Sequence, residues 1–288
     1  MISHRGQITI PELERKSILY RKTILTIIKR ANAGHTGGDL SCIDILNVLY
    51  NHTLNVSPDT FNDPARDRYI HSKGHSAEAL FTVLCDQGYF PKEELATLNH
   101  FQSHFIGHPT RKVNGVEHNT GALGHGLPVS VGIALAGKKD SLPYRVFTLL
   151  GDGELEEGSN WEASMSAAHF GLDNLIVIVD RNTLQITGRT NEVSRLEPLG
   201  DKFRAFGYAV HGVNGNDVSE LVNIFDQIPF EEGKPSLILA RTTKGKGVSF
   251  IEDQVNWHHH VPTDDEFATA MSELNLAEEK WQVKYGNG

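Results

Sequence analysis

The stretch YRVFTLLGDGELEEGSNWEA, residues 144–163, runs from an apolar, β-branched segment straight into a turn rich in glycine and acid. Residues 144–150 have the length and composition of a strand covered on both faces. Gly151 and Gly153 permit a tight turn and close backbone approach to a ligand, and Asp152 stands at the strand end as a hard oxygen donor. Alone, GDG is an ordinary turn. The next apolar segment, NLIVIVD from Asn174, ends at Asp180 and is followed by Arg181, Asn182, Thr183 and Leu184, so Asn182 falls in the equivalent loop 30 positions after Asp152. YAVHGV from Tyr208 and SLILAR from Ser236 continue a spacing of about thirty residues, that of βαβ units. The fold class is therefore α/β, a parallel β-sheet flanked by helices on both faces, with ligands bound beyond the carboxyl ends of the strands.

Working outward, Leu13, Ile18, Leu19, Ile24, Leu25, Ile27 and Ile28 recur at helical spacing and predict a first helix that stops near Gly34. A second helix is expected to open at Ser41, because Ser41-Cys42-Ile43-Asp44 has the shape of a capping box. Residues 68–71 read as a strand, residues 77–87 as a helix, and a further helix starts near Glu157 with N–H groups suited to a phosphate. The 288 residues, 39% hydrophobic, fit one core and one domain. Lysine and arginine total 27 against 36 acidic residues, and the net charge of −9 argues against a general nucleic-acid or membrane-surface binder. Cys42 and Cys85 make no disulfide framework, the first residues lack the apolar stretch of a signal peptide, and apolar runs such as LIVIV are too short for a membrane span, so a cytoplasmic protein is expected.

Two adjacent strand ends offering a carboxylate, a side-chain amide and free carbonyls form a partial oxygen cage of the kind magnesium takes when phosphates complete its octahedron. The pattern GDG followed by Asn, each at the end of an apolar strand, resembles the thiamine diphosphate signature. AGHTGG (33–38), SKGHS (72–76), GHP (107–109), TGALGHG (120–126), GDGELEEGSNWEA (151–163), and KGKGVSF with Trp257-His258 resemble transketolases in the same order. Ala122 stands where that family often has proline or serine and His125 where it usually has glutamine, while Glu157-Gly158 favours transketolases over the keto-acid dehydrogenases of the same cofactor class.

The resemblance implies that Asp152, Asn182 and the Leu184 carbonyl bind magnesium (calcium or manganese in its place), that Gly153 approaches the diphosphate, and that Gly121, Leu123 and Gly124 flank the cofactor rings. His35, His75, His108 and His258 match histidines that line the site, some on diphosphate and others on substrate hydroxyls; Lys244 matches a basic position beside it. Glu157 and Glu162 match acidic residues that link paired active sites across a dimer interface. The cofactor would supply the electron sink for a ketose carbonyl, and histidines titrating near neutral pH would move protons. The resemblance is to the N-terminal subunit of split transketolases: residues 1–288 would form one diphosphate-binding domain with extended ends. The pyrimidine-binding domain, with its activating glutamate, and the C-terminal domain are expected on a partner chain in an α2β2 assembly. The implied reaction moves a two-carbon ketol group between sugar phosphates in pentose phosphate metabolism, with apulose phosphate or a sulfo-sugar as alternatives.

The fifteen histidines need sorting. His4, His52 and His118 lie in polar stretches and read as solvated; His169 and His211 fall inside expected elements and read as structural. The i, i+4 spacings of His100/His104/His108 and His71/His75 keep a zinc metallohydrolase open, although Gly107 and Pro109 oppose a continuous helix. His125 is a fifth candidate for the site, and the tract His258-His259-His260 is a possible metal ligand set. Glycine before His35, His75 and His108 suggests backbone fitted to a ligand; Phe170, Phe203 and Phe206 are expected in the core. A non-catalytic subunit that keeps the fold for assembly is the remaining alternative.

Overall fold

The structure is a computed structural model and describes residues 8–286, so His4 lies outside the described residues. Thr9 and Glu12 form a reciprocal capping box with Pro11 in the first turn, and helix α1 runs Ile10–Ala31 before Asn32 turns left-handed at φ 49°. Helix α2, Thr36–Val48, begins five residues before Ser41. The Ser41 hydroxyl does not cap; it donates to the Gly38 carbonyl (2.9 Å) and to Asp180 (2.6 Å). The remaining elements are β1 (Arg68–His71), α3 (Ala77–Asp86), α4 (Gly126–Lys139), β2 (Val146–Gly151), α5 (Gly158–His169), β3 (Leu175–Arg181), α6 (Thr190–Val193), α7 (Leu199–Phe206), β4 (Ala209–Asn214), α8 (Val218–Phe225), β5 (Ser236–Arg241) and α9 (Asp264–Tyr285).

All neighbouring strands pair in parallel, in the order β1-β2-β3-β5-β4. Alternate strand residues serve two cores. Phe147, Leu149, Ile176 and Ile178 pack with α1, α2 and α3, whereas Val146, Leu150, Val177 and Val179 pack with α4, α5 and α7. This explains the unbroken apolar strands, and each fully buried aliphatic side chain contributes roughly 1.5–3 kcal/mol. Phe203 is buried in the second core and Phe206 packs at its edge. Phe170 is 48% exposed instead, because it stands just past the end of α5 against His169. His169 and His211 are likewise exposed, and His52 Nε2 lies 2.8 Å from the Asp226 carboxylate rather than free in solvent. Among the described residues no helix is long and apolar enough to cross a membrane.

Beneath the carboxyl end of the sheet lies a buried ion pair, Lys73 with Asp180, both 0% exposed. Lys73 also donates to the Gly38 carbonyl at 3.1 Å, and Asp180 accepts from Ser41, Thr242 and Asn182. Burial alone would push the Lys73 ammonium down, but the Asp180 carboxylate holds it above its usual range. A second buried pair, Asp39 on α2 and Glu78 on α3, joins the two helices. Burial and then mutual repulsion raise Asp39, and burial raises Glu78 to about 7, since two carboxyls in contact without water cannot both ionise. Ala79 N–H donates to Asp39 at 2.8 Å.

Breaking the first pair leaves an uncompensated buried charge, so Lys73→Met should lower the urea-derived unfolding free energy by about 3–5 kcal/mol; a change under about 1 kcal/mol would show that Asp180 is adequately satisfied by its hydroxyl partners. The acid pair has the opposite pH signature to a salt bridge. The folded chain keeps a proton that the unfolded chain releases, so this contribution is complete below about 4.5 and is lost as pH rises to about 7. The stability difference between the native chain and Glu78→Gln should therefore shrink by roughly 2 kcal/mol between pH 5 and pH 8; a difference that is flat with pH would mean the pair holds no shared proton.

Candidate active site

The site forms where β2 and β3 end side by side, with Gly151 in register with Asp180. Asp152 leaves β2 and is 2% exposed. Its Oδ1 accepts from the Gly153 amide (2.8 Å), and its Oδ2 from the Thr183 amide (2.6 Å) and the Arg181 guanidinium (2.8 Å). Burial, with Asp180 next, raises the Asp152 carboxyl despite Arg181. Thr183 has φ 68°, a costly conformation for a β-branched residue at roughly 1–3 kcal/mol. That bend brings Asn182 Oδ1 onto the Leu184 amide at 3.1 Å and places Asn182 and Leu184, 7% and 3% exposed, beside Asp152. The Leu184 carbonyl accepts from the Lys244 ammonium at 3.3 Å, a bond that a metal ion at this oxygen would replace. Carboxylate, amide oxygen and carbonyl are the donor set of a hard divalent cation, and the residues fit one.

Glu154 is an organiser that sequence reasoning missed. Its buried carboxylate accepts from the Gly124 and Gly151 amides, both at 3.0 Å, and from the Ser72 hydroxyl, locking together the loops around GDG, TGALGHG and SKGH. A Cβ at Gly124, where φ is +83°, would stand 2.6 Å from Glu157 Cβ, so this loop reaches its position only with glycine. Leu123 is half-buried beside it, Gly121 lies against the His108 ring, and Glu157 and Glu162 are exposed.

Histidines from four distant segments meet above this floor. His75 and His258 stack at 5.5 Å between ring centroids, and His35 lies 5.3 Å from His75, 5.6 Å from His258 and 6.0 Å from His108. Burial, followed by the neighbouring imidazoles and Lys73, lowers His35 to about 3; burial and then Lys244 lower His258 to about 3. His75 is held well below its usual value, and His108 is also lowered, by burial first. The expectation of histidines titrating near neutral pH is thus corrected: in this chain they are neutral hydrogen-bonding groups, and only a nearby anion would raise them. His35 Nδ1 is buried with no protein partner among the described residues, which suits a ligand polar group. Lys244, 1% exposed and 2.8 Å from His258 Nδ1, is lowered to about 8 by burial and by Lys73.

Other expectations are redirected. The glycines before His35 and His75 serve protein packing rather than a ligand: a Cβ at Gly34 would meet Ile28, and one at Gly74 would meet the Gly121 amide. His125 bonds the Leu123 carbonyl at 3.1 Å and is exposed, apart from the four. His100 and His104 are exposed on irregular chain, and His71 is buried between Tyr69 and Ser76, so neither i, i+4 spacing forms a ligand set. The histidines whose ligand atoms do come within 4.8 Å of one another are His35, His258 and His259. Lys73 completes the surroundings and was not singled out from sequence, SKGH being its only signal, while His259 was named there only as part of the histidine tract.

Residues 15–285 match the family model described as the transketolase, thiamine diphosphate binding domain. The chain is 45% identical, over 97% of its length and 99% of the relative's, to an apulose-4-phosphate transketolase subunit of Phocaeicola vulgatus. It is 41% identical, over 91% of its length and 96% of the relative's, to a 6-deoxy-6-sulfo-D-fructose transketolase subunit of a Clostridium species. It also resembles the crystal structure of Campylobacter jejuni transketolase, with a TM-score of 0.81 and 30% identity, over 95% of this chain but only 48% of that one. The chain therefore spans about half the length of that solved transketolase. With a match across nearly its whole length, the chain belongs to the transketolase thiamine diphosphate-binding domain family.

Proposed function

We propose that the chain is the diphosphate-binding subunit of a two-chain transketolase that transfers a two-carbon ketol group from a ketose phosphate to an aldose phosphate. The observation that carries this reading is the convergence of Asp152, Asn182 and the Leu184 carbonyl at neighbouring strand ends beneath a wall of neutral histidines. Asp152, Asn182 and Leu184 would hold magnesium, with calcium or manganese fitting the same oxygens. The Gly153 amide, His75, Lys244 and His258 would hold the diphosphate, and Gly121, Leu123 and Gly124 would flank the thiamine rings. Bound there, thiamine diphosphate supplies the electron sink for cleavage next to a ketose carbonyl.

The protein's own work is positioning and proton placement. His35, His108 and His258 present neutral ring nitrogens, each with one donor and one acceptor, to sugar hydroxyls. The ammonium of Lys244 donates to His258 Nδ1, so His258 keeps its proton on Nε2 and offers it to the pocket. An anionic group brought against Lys244 and His258 is stabilised by both and raises the imidazoles toward the range in which they exchange protons at neutral pH.

Each chain is proposed to pair with another that carries the pyrimidine-binding domain, its activating glutamate and the basic residues for the sugar phosphate, in an α2β2 assembly. Residues 1–288 would thus be one diphosphate-binding domain acting in the cytoplasm. Exposed Met165 and Phe170 in and just after α5, and exposed Ile186 and Val193 after β3, support contact with a protein partner. A narrower reading, with apulose 4-phosphate as the sugar, is favoured by the relatives 45% and 48% identical whose names specify it.

Two measurements test the reading. Asp152→Ala should abolish calorimetric binding of thiamine diphosphate with magnesium in the presence of the partner, a loss of at least about a hundredfold in affinity for removing a metal carboxylate. Arg181 keeps Glu197 at 2.7 Å in that variant, so the fold should persist, and near-normal affinity would remove Asp152 from the metal site. The purified chain alone should transfer no ketol unit, and adding the partner should bring turnover with xylulose 5-phosphate or apulose 4-phosphate; ordinary turnover by the chain alone would exclude the two-chain arrangement.

A further inference from the structure

The three consecutive histidines after Trp257 take three different directions. His258 Nδ1 faces the Lys244 ammonium at 2.8 Å. His260 turns the other way, its Nε2 2.9 Å from Glu266 and its ring against Trp257 at 4.3 Å. His259 lies over His35, ring centroids 3.9 Å apart, and 5.3 Å from His258. It is exposed, and its ring nitrogens make no hydrogen bond to the described residues. From the candidate cation site, the Leu184 carbonyl meets Lys244 (3.3 Å), Lys244 meets His258 (2.8 Å), and the His258 ring is flanked by His259 (5.3 Å) and His35 (5.6 Å), which meet each other at 3.9 Å. Of these three imidazoles His35 is buried, His258 half-buried and His259 exposed, so His259 lies on the solvent side of the cluster.

We propose that His259 is a specificity-determining residue that hydrogen-bonds the sugar substrate at the end of the pocket away from the metal-diphosphate floor. The inference rests on the ketol-transfer reading above and deepens it by assigning a residue to the outer part of the sugar. An imidazole offers two ring nitrogens for hydrogen bonding, which matches adjacent hydroxyls of a polyol. The ring packs against His35, tilted by 49° with centroids 3.9 Å apart, and makes no hydrogen bond to the described residues, so both nitrogens remain available. The same three rings approach the spacing of a metal triad, but the ammonium of Lys244 against His258 and that of buried Lys73 below disfavour a cation there. Because His259 is the exposed, solvent-side imidazole of the cluster, the contact assigned to it is with a part of the sugar away from the reacting carbons, is made equally in the ground state and the transition state, and its removal acts on KM.

The test uses the reconstituted two-chain assembly, loaded with thiamine diphosphate and magnesium, turning over xylulose 5-phosphate and apulose 4-phosphate. His259→Ala should raise KM for the sugar that is used about 5- to 10-fold, with kcat within twofold and an unchanged thermal midpoint. His259→Asn, which keeps a donor and an acceptor, should recover most of the KM. An unchanged KM in the alanine variant overturns the inference, and so does a fall in kcat at constant KM, which would place the ring in the chemistry or in holding His35. If the native assembly transfers no ketol unit from either sugar, the functional reading fails before any variant is made, and the role of His259 falls with it.

Discussion

Everything at the carboxyl end of this sheet depends on one fully buried ion pair, Lys73 with Asp180. Neither charge reaches water, so each must be satisfied by the other and by nearby dipoles. The partners that do so come from the elements that carry the site. Gly38 and Ser41 belong to α2, whose first turn follows His35; Asn182 is a candidate metal ligand; Thr242 stands two residues before Lys244. Lys73 itself is two residues from His75. A pair whose satisfaction requires four separate segments to arrive together fixes those segments relative to one another, which a hydrophobic contact, being non-directional, would not do.

The sheet was legible because its determinants are local. Apolar runs at regular spacing, each ending in a polar turn, express strands buried on both faces, and the two cores on alternate residues are the physical counterpart of that pattern. The site motifs were legible for the same reason: Asp152 and Asn182 lie immediately after neighbouring strands, and parallel pairing brings them together. The start of α2 was misread because Ser41-Cys42-Ile43-Asp44 has the shape of a capping box. In the folded chain the Ser41 hydroxyl is committed to Asp180, 139 residues away, and no local rule carries that information.

Glu154, Lys73 and the Asp39–Glu78 pair were illegible on the same grounds. An acidic or basic residue in a sequence reads as solvated until its partner is known, and apart from Gly151 beside Glu154 these partners lie 30 to 107 residues distant. Glu154 is indistinguishable in sequence from Glu156 or Glu157, yet it is buried under three donors while those two are exposed. The histidines show the converse. Their number signalled a site, but their protonation is set by burial and by two ammonium groups brought in by the fold, and so could not be taken from their ordinary titration range.

Those two ammonium groups also resolve an apparent conflict in the charge. The chain as a whole carries −9, yet its candidate site is built around buried Lys73 and Lys244, with Arg181 against Asp152. The field inside a low-dielectric pocket is set by the nearest charges, and solvent screens the acidic exterior over a Debye length of about 8–10 Å. Lys244 is pushed down to about 8 by burial and by Lys73, so at neutral pH it stays mostly protonated at a cost that a nearby anion would remove. His258 is depressed by the same ammonium, and the same anion would raise it. A diphosphate is therefore favoured by a site whose cations and imidazoles are held away from their preferred states until a negative charge arrives, and the acidic surface does not oppose it.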